Sequence, residues 1–284
     1  MSDLSWLSRI EYPFKAHYFD IEAGRMHYVD EGSGPPVVMV HGTPTWSFLY
    51  RHLIKELMVD HRCLAPDLPG FGLSDRDPAA VYTPELQAVR FADWVQALGL
   101  PPFTLVVHDI GGPIALHYAL AHPGQVQRIV VANSWLGSLA SERHIVWAAR
   151  LSASRWGRWL VARWFMPSAL GRKLSRSLHR HYTMPLPVWR TRDHAHHLIE
   201  ASAWFDQGWQ QRRALAQIPA LVVWGMKDTW LRPHLLDRWQ QVFDQPKIVR
   251  LPRAGHFVQE EAVEAYGRHI RDFLLETTLS PNPG

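Results

Sequence analysis

Nine residues constrain this chain more than any others. Thr104-Leu-Val-Val-His-Asp-Ile-Gly-Gly112 runs from a strand-length apolar stretch through His108 and Asp109 into a helix entered over two glycines. A strand that is apolar without alternation is buried on both faces, and that occurs in parallel sheets flanked by helices. The change from strand to helix within two or three residues needs small neighbours, and it lifts one side chain, Asp109, above the carboxyl edge of the sheet. There it meets the free amides at the start of a helix, which favour negative charge. A plainer role, an aspartate that merely caps the helix, fits these nine residues equally well.

The rest of the chain supplies the sheet that such a turn requires. Strand-length apolar runs occur at residues 17–21, 26–30, 37–40, 63–65, 105–107, 129–132, 221–224 and 248–251. The first two are joined by Glu22-Ala23-Gly24-Arg25, which predicts a hairpin and an antiparallel start. Helical periodicity lies between the others, at 84–98, 114–121, 233–243 and 259–275. Strands alternating with helices imply a mostly parallel sheet of eight strands with helices on both faces. From about residue 136 to 213 the alternation stops and the pattern is helical throughout. The expected organisation is one α/β domain, 1–135 and 214–284, interrupted by a helical insertion at 136–213.

Composition narrows the setting. In 284 residues, 47% are hydrophobic and 20% charged, the usage of an ordered globular chain. Cys63 is the only cysteine, so no internal disulfide forms and no zinc site can be built from several thiolates. The start of the sequence has no signal-peptide pattern, and no apolar run reaches the roughly 20 residues of a membrane span. The expectation is a soluble cytoplasmic protein without an integral membrane segment; a monomer is compatible, and no oligomeric state is specified. Net charge is only +4, yet residues 141–200 carry ten Arg and one Lys against three acids, a local +8. A basic, tryptophan-bearing stretch such as 150–165 suits an anionic membrane or a nucleic acid. Without any nucleic-acid motif, the simpler expectation is a solvated helix face with its aromatic residues turned inward, and no nucleic-acid partner.

Two further residues follow Asp109 in the order that a strand-turn-helix nucleophile requires, acid and then histidine. Asp228 ends Val222-Val-Trp-Gly-Met-Lys-Asp228, just past a strand, and His256 lies in Ala254-Gly-His-Phe-Val-Gln-Glu-Glu261, between the last strand and the last helix. Seventeen histidines are present, so it is the slot and the upstream acid that single out His256 as a base. No G-x-S-x-G occurs, which excludes a serine nucleophile at the turn.

With these residues the chain resembles the α/β-hydrolase superfamily, in its haloalkane dehalogenase and epoxide hydrolase branch, whose nucleophile is an aspartate. The resemblance spans nearly the whole chain. It includes His41-Gly-Thr-Pro-Thr-Trp-Ser-Phe-Leu-Tyr-Arg51 and Asp67-Leu-Pro-Gly-Phe-Gly-Leu-Ser-Asp75. It implies the α/β-hydrolase fold, with the insertion at 136–213 as a cap. A carboxylate is ionised at neutral pH and can displace a leaving group from saturated carbon without a base. His256, oriented by Asp228, would then activate water against the resulting Asp109 ester. The backbone amides of Thr43 and Ile110 would hold the oxyanion. The expected partners are a small apolar substrate and water, with no cofactor.

Departures from the family bear on the substrate. Dehalogenases of this type place Trp after the nucleophile to grip the leaving halide, and this chain has Ile110; Thr43 offers only a hydroxyl where relatives use Asn. Trp135, or a tryptophan of the insertion, could supply an indole N–H instead. Eight of the fourteen tryptophans fall between Trp135 and Trp209, and each is expected first as core or pocket wall. An epoxide hydrolase would use two cap tyrosines, but Tyr182 is the only one between 136 and 213. A related β-lactone decarboxylase is not separated by these motifs. His194, His196 and His197, with His179 and His181 nearby, are expected to form a solvated helix face and not a metal site.

Overall fold

A computed structural model of the chain describes residues 4–77, 79–152, 154, 156–157, 175–185 and 200–279. Eight strands form a single sheet in the order β1-β2-β4-β3-β5-β6-β7-β8. They are β1 (His17–Ile21), β2 (Gly24–Glu31), β3 (Pro36–Val40), β4 (Arg62–Pro66), β5 (Phe103–Asp109), β6 (Val126–Ser134), β7 (Ala220–Gly225) and β8 (Lys247–Leu251). All eight expected runs are strands. β1 and β2 form the antiparallel pair, with Ile21 opposite Gly24; β2 also pairs antiparallel with β4, and every other pairing is parallel.

Alternation along the strands divides the core. Val38, Val40, Leu105 and Val107 point to one side, where they meet Phe91 and Trp94 of α2 (Pro84–Ala97) and Ile114 and Leu116 of α3 (Gly111–Ala121). Val37, Met39 and Val106 point to the other side, against Leu53 and Ile54 of α1 (Arg51–Leu57) and the C-terminal helix. Helices therefore cover both faces. α2 begins where its sequence says it should: Thr83 is extended, its hydroxyl accepts from the Leu86 amide at 3.3 Å, and Pro84 takes the first helical position.

Three local readings differ from the structure. α1 was not expected; only seven residues long, it has a buried Arg51 on its inner side, which obscures the apolar period. Residues 233–241 form a 3-10 helix. The last helix is interrupted at Ala262 (φ −139°), giving Val258–Glu261 and Val263–Leu279. Between β6 and β7 all described regular structure is helical: α4 (Arg143–Ser152), α5 (Arg176–Thr183), α6 (Ser202–Gln211) and a 3-10 turn at Arg212–Leu215.

The strand order places the site. β4 lies on one side of β3, and the chain then crosses over to lay β5 on the other side. The loops after β3 and β5 thus diverge at the carboxyl edge of the sheet, the switch point at which open α/β sheets form crevices.

Candidate active site

β5 ends in Asp109 with φ +51°, a left-handed conformation that non-glycine residues seldom adopt. This is the sharp turn expected from the sequence, and α3 starts two residues later. The turn is held from both neighbouring strands. The Ser134 hydroxyl, at the end of β6, donates to the Asp109 carbonyl at 2.6 Å. The loop after β3 approaches so closely that a Cβ on Gly42 would sit 2.2 Å from the Asp109 Cβ, and one on Gly111 would sit 2.4 Å from the Val40 carbonyl oxygen. Only glycine fits at either position.

That close loop delivers the Thr43 amide, which donates to Asp109 Oδ1 at 2.9 Å. His41, buried, fixes the loop from below: its Nδ1 donates to the Gly42 carbonyl at 3.0 Å and its Nε2 accepts from the Leu68 amide at 2.9 Å. The second motif, 67–75, folds around the buried Asp67 carboxylate, which accepts from the Ser47 and Leu73 amides and pairs with His27 Nδ1 at 2.8 Å. Asp67 is thus a support for the loops beside the site.

His256 is fully buried and lies between two carboxylates. Its Nδ1 donates to Asp228 Oδ2 at 2.7 Å, and its Nε2 is 3.4 Å from Asp109 Oδ2. Burial opposes its charged form, but the negative Asp228 and Asp109 outweigh that and push its pKa up to about 10. Burial likewise acts against an ionised Asp109, while His256 and the Ile110 amide hold it below the ordinary carboxylate value. Asp228 is oriented from three sides: Oδ1 accepts from the Trp230 and Leu231 amides at 2.8 and 2.9 Å, and Oδ2 also accepts from Asn133 Nδ2 at 2.7 Å.

Asn133 and His108 are participants whose roles the sequence did not reveal. Asn133, at φ +36°, also accepts from the Gly225 amide at 2.8 Å and so ties the ends of β6 and β7 together under the acid. Its only sequence signal is its place at the end of a strand. His108 precedes Asp109, and its Nε2 donates to the His256 carbonyl at 3.0 Å. Burial and the charge of His256 pull its pKa down to about 3, so it serves as a neutral donor that positions the histidine turn.

The residues around Ile110 and Trp135 are apolar. Ile110 packs with Leu68, Phe71 and Ile114 around one pocket, and Trp135 with Leu139, Ile145 and Phe205 around another. The Trp135 indole N–H and the Thr43 hydroxyl are buried with no hydrogen-bond partner. Trp204 stacks on His117 at 3.7 Å, and Trp209 lies between the guanidinium groups of Arg212 and Arg238. Trp156, expected to turn inward, is 84% exposed, and Trp147 is 65% exposed. Trp159, Trp164 and Trp189 lie outside the described residues, as do His194, His196 and His197. His181 is buried against Phe48. Among the described residues no group of three or more His, Cys, Asp or Glu side chains is placed to hold a metal ion. No described helix is long and apolar enough to cross a membrane.

Comparison with known proteins identifies this architecture. The family model of the alpha/beta hydrolase fold matches residues 35–263. The chain belongs to the α/β-hydrolase family. It is 33% identical over 262 residues to haloalkane dehalogenase 2 of Mycobacterium tuberculosis strain H37Rv, covering 88% of this chain and 92% of that protein. It is 30% identical over 285 residues to the cis-3-alkyl-4-alkyloxetan-2-one decarboxylase of Shewanella oneidensis, covering 93% and 90%. Among solved structures, the haloalkane dehalogenase DatA of Agrobacterium tumefaciens C58 superposes with a TM-score of 0.80 at 26% identity, over 92% of this chain and 96% of that one. This α/β-hydrolase is a haloalkane dehalogenase-like enzyme of the hydrolase class.

Proposed function

We propose that the enzyme hydrolyses haloalkanes through a covalent ester on Asp109. The observation that carries this reading is the Asp109 carboxylate itself, held ionised, with Oδ1 on the Thr43 amide and Oδ2 facing a histidine that is backed by a second acid. A carboxylate oxygen attacks the halogen-bearing carbon; a C–O bond forms, the carbon–halogen bond breaks, and halide departs with the bonding pair. Esterification neutralises Asp109. His256 then loses one of the two charges that kept it protonated, releases its proton to solvent as the counterpart of the departing halide, and becomes a base. It takes a proton from water as the water oxygen adds to the ester carbonyl carbon, and the oxyanion is met by the Thr43 and Ile110 amides. Collapse returns that proton to the departing alcohol and leaves Asp109 as a carboxylic acid, whose proton, the second one from the water, passes to His256 and restores the ionised Asp109 beside a protonated histidine.

The helical segment between β6 and β7 serves in this reading as the cap, whose residues Leu139, Ile145 and Phe205 complete an apolar pocket with Trp135. The Trp135 indole N–H is the candidate donor to the leaving halide, and Ile110 supplies none.

Ile110 also favours a second reading. With no indole after the nucleophile, the site suits a substrate that releases no free halide, such as the β-lactone named for the Shewanella relative. The same Asp109 would open the ring, and carbon dioxide would be the product to measure.

The test uses His256→Phe, which leaves the attacking carboxylate intact and removes the base of the second step. Incubation with a bromoalkane should give inactive protein carrying one added alkyl group, located at Asp109 by peptide mapping. Wild-type protein assayed for halide, diol and carbon dioxide with bromoalkanes, epoxides and β-lactones assigns the substrate class. An inactive His256→Phe enzyme that forms no adduct with any substrate turned over by wild type would overturn the ester mechanism.

A further inference from the structure

Helix α4 has two faces with opposite character. On the inner side Ile145 and Val146 line the apolar pocket beside Trp135, and His144 Nε2 donates to the Trp230 carbonyl at 2.8 Å, which fastens the helix to the core. On the outer side Arg143, Trp147 and Arg150 are exposed. They stand at i, i+4 and i+7, a single stripe along the helix. Past its end the chain bends at Ser154, and Trp156 and Gly157 are helical again. The Gly157 amide donates to Ser154 Oγ at 2.9 Å, and a Cβ at Gly157 would lie 1.8 Å from the Leu151 carbonyl oxygen. Trp156, next to Gly157, stands outward.

Among the described residues Trp147 and Trp156 are the only exposed tryptophans, at 65% and 84%. Single exposed apolar residues are ordinary on a protein surface. Two indoles within ten residues, set among arginines in the most basic stretch of the chain, call for a specific environment. The stretch 141–200 carries +8 while the whole chain carries +4, so the remainder is slightly acidic and the positive charge is concentrated here. Indole rings gather at membrane interfaces, where the ring meets the acyl boundary and the N–H meets headgroups, and arginine beside them pairs with lipid phosphate. Single-stranded nucleic acid also stacks on aromatics, but along basic grooves. These indoles project from the exposed side of a helix and from the helical step just beyond it.

We propose that the outer face of α4, with Trp156 just beyond it, forms a docking surface for an anionic lipid bilayer, with Trp147 and Trp156 at the headgroup level and Arg143 and Arg150 against lipid phosphate. The bilayer then lies across one helix from the apolar pocket. On the reading that the enzyme takes an apolar substrate, docking places the pocket beside the phase in which that substrate dissolves. The docking itself holds for any substrate and is tested without one.

The experiment is flotation of the purified chain with vesicles of phosphatidylcholine alone or mixed with phosphatidylglycerol. The chain should float with the phosphatidylglycerol vesicles and not with phosphatidylcholine alone, and high salt should release it. Arg143→Gln with Arg150→Gln should weaken partitioning about 25-fold, about fivefold for each charge lost at the surface. Trp147→Ser with Trp156→Ser should weaken it at least about fivefold, and should abolish any blue shift of tryptophan emission on vesicle addition. Unchanged thermal midpoints will show that these surface variants are folded. Failure of the wild type to float with anionic vesicles, equal flotation with both lipids, or wild-type partitioning by either double variant would overturn the proposal. So would displacement from vesicles by a short oligonucleotide that the tryptophan variant binds as well as wild type does, since the patch would then be a general polyanion site.

Discussion

Replacing Asp109 with Asn should turn His256 from a cation throughout the neutral range into a group that titrates near neutrality. Asn has the shape of the carboxylate and, like the proposed ester, no charge. His256 Nε2 lies 3.4 Å from Asp109 Oδ2, and its pKa is held at about 10. At an effective dielectric of about 20, a unit charge about 4 Å away contributes about 4 kcal/mol, or roughly 3 pH units. The Asp109→Asn variant should therefore show His256 titrating at roughly 7, with Asp228 as its remaining charged partner. The assay is NMR titration of ring-nitrogen signals, with His256→Phe identifying the resonance by its loss. The sign also appears in stability. A histidine whose folded pKa is raised from 6.5 stabilises the fold fully below that value, and the stabilisation is lost as pH rises through about 10. In Asp109→Asn that alkaline loss should shrink and end near neutrality. If His256 titrates within about one unit of its wild-type value in the variant, Asp109 does not control its charge, and the switch from acid to base on esterification is wrong.

Asp228→Asn should leave the first step intact and slow ester hydrolysis by on the order of a thousandfold or more, read as accumulation of adduct in a rapid-quench experiment. Trp135→Phe should cut kcat/KM for bromoalkanes about tenfold or more if its indole N–H holds the halide, because one hydrogen bond to a charged group is worth roughly 1.5 to 3 kcal/mol. An unchanged rate would turn attention to β-lactones. Glu260→Gln should destabilise the fold by up to about 3 to 5 kcal/mol in urea titrations, since the buried Arg51 guanidinium that Glu260 holds through two hydrogen bonds keeps only the partly exposed Glu11 as a charged partner.

Much of the site was legible because it is written in local patterns. The turn at Asp109 and the slots of Asp228 and His256 each lie at the end of a strand whose apolar run is plain in the sequence, and chain order does the rest. What escaped depends on distant partners. Asn133 matters because β6 and β7 lie side by side, which brings it to a carboxylate 95 residues away. α1 escaped because Arg51, charged but buried, reads as a surface residue until Glu260, 209 residues away, is seen beside it. The direction of Trp156 escaped for a different reason. Periodicity predicts which residues share a face of one helix, and Trp156 lies beyond the bend at Ser154, on a separate helical step that the period of α4 does not reach.

The ties around α5 bear on how such an insertion can be exchanged. The Trp46 indole donates to the His181 carbonyl at 3.0 Å, the Ser8 amide donates to His181 Nε2 at 3.0 Å, and the Tyr182 hydroxyl donates to Glu260, which also takes Arg51. Glu260 is four residues from His256, on the short helix that begins just after it. The inserted segment is thus spliced into the same buried ionic knot that anchors the histidine turn. A chimera that imports the stretch between β6 and β7 from a relative, to change substrate range, would inherit a carboxylate and a guanidinium with one ligand missing unless a hydroxyl arrives at the position of Tyr182. In this protein, breeding a new specificity and keeping His256 in place are a single engineering problem.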